Sequence, residues 1–92
     1  MSSVPTTQKH RNFVGEPMKN KPATAVPGIG TVLGSRFLEA GFDTASSILG
    51  QFLLLKKDEE LFCMWFRDTS GGNRKHAKDC YSALLEWCEE FL

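Results

Sequence analysis

Apolar residues recur along the chain at helical spacing, and polar or Gly/Pro-containing segments separate them into short runs. The clearest run forms one apolar stripe near the C-terminus: Ala77, Cys80, Tyr81, Leu84, Cys88 and Phe91. No stretch alternates apolar and polar residues over a useful strand length. The pattern predicts an all-α fold, a compact bundle of about five or six short helices, at residues 7–14, 23–26, 31–40, 45–55, 59–68 and 74–91.

Residue types at the ends of these segments support the boundaries. Asp43 or Thr44 is suited to cap the helix that starts at residue 45, and Asp58 the helix that follows. Gly41 stands where a C′ glycine ends a helix. We interpret residues 1–7 as a flexible N-terminal tail and residues 8–92 as a single helical domain.

The string Pro27-Gly28-Ile29-Gly30, followed at once by an amphipathic helix, is the most informative motif. Glycines there permit positive φ and close approach of an outside group to the backbone, while Ile29 anchors the turn. The amides that begin the next helix are unpaired donors where an anion is favoured. The motif predicts a helix-hairpin-helix unit that binds a DNA phosphate without reading sequence. A plain turn between two helices is the alternative.

The last predicted helix carries its charges against the helix dipole. Its first turns hold cations and its last turn holds acids, namely Arg74, Lys75 and Lys78 against Glu86, Glu89 and Glu90. Sites that break local rules are often functional. We therefore predict a second anion site here, made of free amides at residues 71–73 and the cationic side chains. An exposed basic face without a role is the alternative.

Composition limits the class of protein. The 92 residues are 41% hydrophobic, which is sufficient for a globular core and argues against disorder throughout. No apolar run approaches a membrane span, and the N-terminal residues lack the apolar stretch of a signal peptide, so we expect no membrane insertion and a nuclear or cytosolic protein. The formal net charge is zero, but residues 1–36 hold five bases and one acid, which permits a local basic face.

The three cysteines do not suggest disulfides or metal binding. Cys80 and Cys88 fit the apolar stripe of one helix, while Cys63 is harder to assign. The two histidines, His10 and His76, are too scattered to complete a zinc site. We expect no metal and no cofactor.

The apolar residues between positions 48 and 66 exceed what so small a core needs. We predict that part of them forms an interface between two copies or a groove for a partner. Gly50 would allow close approach of two backbones, and Phe52, Leu54 and Leu61 would fill the contact. An unusually aromatic monomer core is the alternative.

With these features in hand, the chain resembles the barrier-to-autointegration factor family of small animal chromatin proteins over nearly its whole length after residue 6. The resemblance is carried by Gln8-Lys9-His10-Arg11, Glu16-Pro17-Met18, Gly28-Ile29-Gly30, Gly41-Phe42-Asp43, Leu49-Gly50-Gln51-Phe52-Leu53, Leu55-Lys56-Lys57-Asp58-Glu59, Asp79-Cys80 and Glu86-Trp87-Cys88. Several of these strings are long and unusual. The match is therefore specific.

The resemblance implies a helical homodimer that binds and bridges double-stranded DNA without sequence preference and has no enzymatic activity. It also implies binding to LEM-domain proteins of the inner nuclear membrane, to lamin and, as a further partner, to histones. The expected locations are the nucleus, chromatin and the nuclear envelope, and also the cytoplasm.

The resemblance and the hairpin motif together predict the site residues. The predicted DNA-binding residues are Gln8, Lys9, Gly28, Ile29, Gly30, Val32, Leu33, Asn73, Lys75 and Lys78. The predicted dimer and partner surface comprises Gly50, Gln51, Phe52, Leu54 and Leu61. Thr6 and Thr7 correspond to positions that are phosphorylated in the family to release DNA.

Two other functions remain open from the sequence alone. A small DNA-processing enzyme with a hairpin would need clustered acids, and the run Asp58-Glu59-Glu60 fits a helix start better. A protein-only helical adaptor would use the hairpin as a plain turn. Salt-dependent retention on DNA distinguishes the adaptor from a DNA-binding protein.

Overall fold

The computed structural model describes residues 7–92, which form five α-helices and one turn of 3₁₀ helix. The α-helices are α1 (Gln8–Val14), α2 (Thr31–Glu39), α3 (Ala45–Leu54), α4 (Glu59–Ser70) and α5 (Arg74–Phe91), and the 3₁₀ turn is Ala23–Ala25. These residues pack into a compact globule with a Cα radius of gyration of 11.9 Å. The predicted all-α fold is confirmed.

Side-chain caps start most of the helices. Thr44, rather than Asp43, caps α3 by accepting a hydrogen bond from the Ser47 amide, and Asp58 caps α4 as predicted. Helix α4 continues two residues past its predicted end at residue 68. It stops only where Gly71 takes a left-handed conformation, with φ of 75°.

Helix α5 is the centre of the bundle and packs against α1, α3 and α4. Its buried residues face a cluster of aromatic rings contributed by the other helices. Phe37, Phe62 and Phe66 are fully buried, and the Phe37 and Phe66 ring centroids lie 5.1 Å apart in an edge-on arrangement. Burial of these rings supplies much of the apolar area that holds the short helices together.

The three cysteines differ in burial, as their positions in the sequence pattern suggested. Cys80 and Cys88 are buried on α5, and desolvation raises the pKa of both thiols. Cys63 on α4 is half-buried. No group of three or more potential metal ligands forms within residues 7–92, and no helix in this range is long and apolar enough to cross a membrane.

The prediction that Phe52 lies on the dimer surface is wrong. Its ring is fully buried within the monomer, 5.5 Å from the ring of Phe62 and 5.4 Å from that of Tyr81. The reason is the helical period, because Phe52 follows Ile48 by four residues and shares its inward face. The outward face of α3 instead carries Leu54, which is 74% exposed.

The hairpin turn docks on α5 through bare backbone at Gly28. This residue has φ of 88°, and a Cβ atom there would overlap the His76 carbonyl oxygen and lie 3.1 Å from the Cys80 nitrogen. Any other residue would therefore be strained and would push the turn off α5. Gly30, two residues later, is in extended conformation with open space around its Cα.

We therefore expect the same substitution to have opposite effects at these two glycines. Gly28→Ser should lower the free energy of unfolding by more than about 2 kcal/mol, because it adds a clash to an unfavourable φ. Gly30→Ser should raise it by a few tenths of a kcal/mol, because serine is a better N-cap than glycine. Urea denaturation followed by circular dichroism at one protein concentration measures both effects. Equal unfolding midpoints for the two variants would contradict the docking geometry.

Candidate nucleic-acid interface

The N-terminus of α2 lacks a side-chain cap. Its N-cap residue is Gly30, and the Gly34 amide donates to the Gly30 carbonyl at 2.8 Å. The four other α-helices within residues 7–92 are capped by Thr7, Thr44, Asp58 and Asn73. Gly30 and Thr31 are exposed, and the Val32 side chain is 62% exposed. The amides of the first turn of α2 therefore lie at an accessible, electropositive helix start.

Lys9 places a cation at this turn from another helix. Its Nζ donates to the Ile29 carbonyl oxygen at 2.6 Å, which ties α1 to the hairpin. Partial burial lowers the pKa of the Lys9 ammonium, and the field of Cys80 opposes that effect. An ammonium group that has lost part of its hydration gains more from a nearby anion than a fully hydrated one.

Ile29 contributes no side chain to this surface. Its side chain is fully buried, its amide donates to the Val26 carbonyl at 3.1 Å, and its carbonyl is occupied by Lys9. Ile29 anchors the turn in the core, as the motif predicts. Leu33 is also mostly buried, so its amide rather than its side chain is available to a ligand.

The start of α5 does not offer the free amides that the sequence suggested. The Gly71 amide donates to the Arg67 carbonyl at 2.8 Å, and the Gly72 amide donates to Ser70 Oγ at 3.1 Å. The Asn73 amide points to His76 Nδ1 at 3.4 Å, within a capping box in which Asn73 Oδ1 accepts from the His76 amide. That part of the prediction is wrong. The cationic side chains remain the basis for an anion site here.

Both predicted lysines of α5 are already paired with carboxylates. Lys75 Nζ lies 2.9 Å from Asp79 Oδ2, one turn along the same helix, and Lys78 Nζ lies 3.3 Å from Glu59 Oε2 on α4. Asp79 and Glu59 were not among the residues predicted for this surface. The four-residue spacing of Lys75 and Asp79 could have predicted their ion pair, because residues at that spacing are neighbours on a helix surface.

The hairpin and the start of α5 form one continuous surface. A Cβ atom on Gly72 would lie 2.8 Å from the Leu33 Cδ1 atom, so the loop before α5 touches the first turn of α2. Gln8 lies on the exposed side of α1, where its side chain bonds Asn12 and Arg11. The structure thus gathers the predicted hairpin residues and the loop before α5 on one side of the molecule.

The residues predicted for the dimer surface lie on α3 and α4 rather than on the hairpin helices. Leu54 is 74% exposed and Leu61 is 50% exposed. Gly50 is exposed with no atom within 4 Å of a Cβ built on it, and Gln51 beside it is half-buried. Leu54 and Leu61 are thus large apolar side chains that the monomer itself leaves largely uncovered.

Of the two predicted phosphorylation sites, Thr6 lies outside the described residues. Thr7 is exposed, and its Oγ1 atom caps α1 by accepting a hydrogen bond from the His10 amide at 3.0 Å. It lies two residues before Lys9.

A comparison with known proteins identifies the family. The family model described as "Barrier to autointegration factor" matches residues 4–91. The chain belongs to the barrier-to-autointegration factor family. Curated relatives with that name are 58% identical in Drosophila melanogaster, 59% in Danio rerio and 56% in Homo sapiens. Each match extends over 87 residues, which is 95% of this chain and 97% or 98% of the relative. The family resemblance inferred from the sequence is confirmed.

Proposed function

We propose that this protein binds the backbone of double-stranded DNA without reading its sequence. The observation that carries the proposal is the uncapped start of α2 with the Lys9 ammonium beside it. A phosphate group accepts hydrogen bonds from donors of this kind, namely the amides at a helix N-terminus and an adjacent cation. Membership of the family supports the same conclusion.

The chemistry of this surface explains the lack of sequence preference. Backbone amides and ammonium groups contact phosphates, which are the same at every base pair. Reading of base edges would require a helix or ribbon in the major groove with side chains that match a base pattern. The hairpin instead presents a short turn and the exposed Val32 side chain. Binding of this kind is steeply dependent on salt, because it releases counterions.

We further propose that the protein acts as a homodimer that bridges two duplexes. The apolar surface around Gly50, Leu54 and Leu61 supports self-association, and it is built from different helices than the hairpin. Two subunits joined there would each keep a DNA site. Residues 1–7 would act as a regulated tail. Residues 8–92 would form the unit that binds DNA and dimerises.

On this proposal the protein links chromatin to LEM-domain proteins of the inner nuclear membrane, to lamin and to histones, without enzymatic activity. It would act in the nucleus, at chromatin and at the nuclear envelope, and also occur in the cytoplasm. Phosphate groups on Thr6 and Thr7 would weaken DNA binding, because each adds a charge of about −1.5 to −2 close in sequence to Lys9.

The acids that an enzyme would need have structural roles here. Asp58 Oδ1 caps α4 by accepting the Leu61 amide at 2.9 Å, and Glu59 pairs with Lys78. These contacts favour the binding function over the alternative of a DNA-processing enzyme. A protein-only adaptor would bind no duplex at any salt concentration.

The first test uses a pair of nearly isosteric substitutions at Gly30. Gly30→Asp and Gly30→Asn should both cap α2 and raise the unfolding free energy by a few tenths of a kcal/mol. The aspartate variant should lose at least about tenfold in duplex affinity, or 1.4 kcal/mol, because it places a carboxylate where the phosphate would bind. The asparagine variant should lose less. Fluorescence anisotropy with a short labelled duplex measures both. If Gly30→Asp bound DNA as tightly as the unchanged protein, the hairpin would not be the site.

A second test concerns the carboxylate beside Lys75. Asp79→Asn should raise duplex affinity about two- to fivefold, because it removes a negative charge and the ion pair that competes with phosphate. Glu89→Gln, at the opposite end of α5, removes the same charge as a control and should change affinity less. Titrations at low salt are most sensitive. A lower affinity for Asp79→Asn would argue against Lys75 as a phosphate contact.

A third test addresses the dimer. Gly50→Glu should leave the monomer folded, since a Cβ atom there meets nothing within 4 Å, and glutamate favours a helix interior over glycine. It should weaken self-association more than about a hundredfold, because it buries an unpaired charge in the contact. Light scattering measures the mass, and capture of a free duplex by an immobilised one measures bridging. Ser46→Glu in the first turn of α3 is the control. A wild-type monomer at micromolar concentration would refute both dimer and bridging.

A further inference from the structure

A groove between α4 and α5 is lined by three cations. Two of them, Arg67 and Arg74, are not among the predicted DNA-binding residues. The groove has a volume of about 390 Å³, and its lining holds two acids besides the three cations. The cations are Arg67, Arg74 and Lys78, the acids are Glu59, which pairs with Lys78, and Glu60, and Cys63 and Met64 complete the lining. Burial, with a contribution from Glu59, raises the pKa of the Cys63 thiol, and the charges of Lys78, Arg67 and Arg74 oppose that rise. The three cations therefore converge on one region.

The two arginines of this groove are available to a ligand. Lys78 is paired with Glu59, but neither Arg67 nor Arg74 makes an ion pair with a carboxylate within residues 7–92. Both side chains are exposed. A planar guanidinium group that is not engaged offers two parallel donors, which match the oxygens of a phosphate group.

The groove is continuous with the hairpin surface. Arg67 also lines the neighbouring depression, which Asp68, Gly71 and Gly72 border. Gly72 in turn lies against Leu33 in the first turn of α2, as described above. A backbone that contacts the start of α2 would meet these arginines next along the same side of the molecule.

We propose that Arg67 and Arg74 form a second phosphate-binding site that extends the DNA footprint from the hairpin into the groove between α4 and α5. This inference rests on the proposed DNA-binding function. It assigns the misplaced positive charge at the start of α5 a ligand, namely a further backbone phosphate of the same duplex. The cost of cations at a helix N-terminus is then offset in the complex.

Duplex DNA fits this groove better than an acidic protein segment does. A peptide that becomes ordered on binding needs apolar anchors to offset its loss of entropy. Among the side chains that line the groove, Met64 is the one large apolar group, and it is 56% exposed. A phosphate backbone requires no such anchor. It requires only cations that follow one another along the protein surface.

The test compares three double variants with the unchanged protein. Arg67→Gln/Arg74→Gln removes both guanidinium groups. Arg67→Lys/Arg74→Lys keeps the positive charges but removes the two parallel donors of each guanidinium group. Lys19→Asn/Lys56→Asn removes the same charge at two exposed positions elsewhere; both have left-handed backbone, which asparagine tolerates. Duplex affinity is measured by anisotropy over a range of salt concentrations on two unrelated sequences.

For the glutamine variant we expect a slope of log affinity against log salt that is smaller by about 1.8, since each lost phosphate contact contributes about 0.9. The loss of affinity should be the same for both DNA sequences. The lysine variant should keep the slope and lose part of the affinity, and the control should keep a slope close to that of the unchanged protein. Thermal unfolding should remain within a few degrees for all variants, because the replaced side chains are exposed.

The outcomes separate the two proposals. If the unchanged protein bound no duplex, the proposed function itself would fail. If it bound DNA and the glutamine variant kept the full salt slope, the second phosphate site would be refuted while the hairpin site would stand. Binding of an oligoglutamate peptide that the glutamine variant loses, together with an unchanged slope on DNA, would assign the groove to an acidic protein partner and overturn the inference.

Discussion

The backbone contact between the hairpin turn and α5 is the constraint on which the rest of this surface depends. Gly28 lies so close to the His76 carbonyl and the Cys80 amide that no side chain fits between them. The contact holds the turn against the central helix, and Ile29 then enters the core. Lys9 reaches the Ile29 carbonyl because α1 also packs on α5. One close approach therefore aligns the start of α2 with a cation from a helix that is distant in sequence.

Within residues 7–92, α2 is the α-helix that begins without a side-chain cap. Four helices use side chains to cap their first amides, whereas α2 begins with Gly30 and leaves its first turn to solvent. Glycine there gives up a small amount of helix stability and keeps the approach open to a larger ligand. Such a departure from local preference is what a binding site requires.

Intramolecular ion pairs keep the cationic side of the molecule balanced while no ligand is bound. Asp79 and Glu59 hold two of the lysines, and the chain has a formal net charge of zero. Exposed pairs of this kind contribute little to stability, so a phosphate can replace the carboxylate at small cost. The proposed self-association would use a different set of contacts. Helix α3 turns Phe52 inward and Leu54 outward, so the core and the proposed dimer contact share one helix without sharing a face.

The sequence by itself determined the features that arise within a few residues of chain. Helical spacing, the Asp58 cap and the glycine at position 41 sufficed to predict an all-α fold and helix limits within about two residues. The hairpin motif and the family were readable for the same reason. Tertiary structure alone decided which groups remain free, because a distant segment can satisfy or bury them. Lys9, on another helix, occupies the Ile29 carbonyl, and packing against Phe62 and Tyr81 buries Phe52. Hydrogen bonds between distant segments, and burial, depend on contacts across the fold, and no local pattern of residues encodes those contacts.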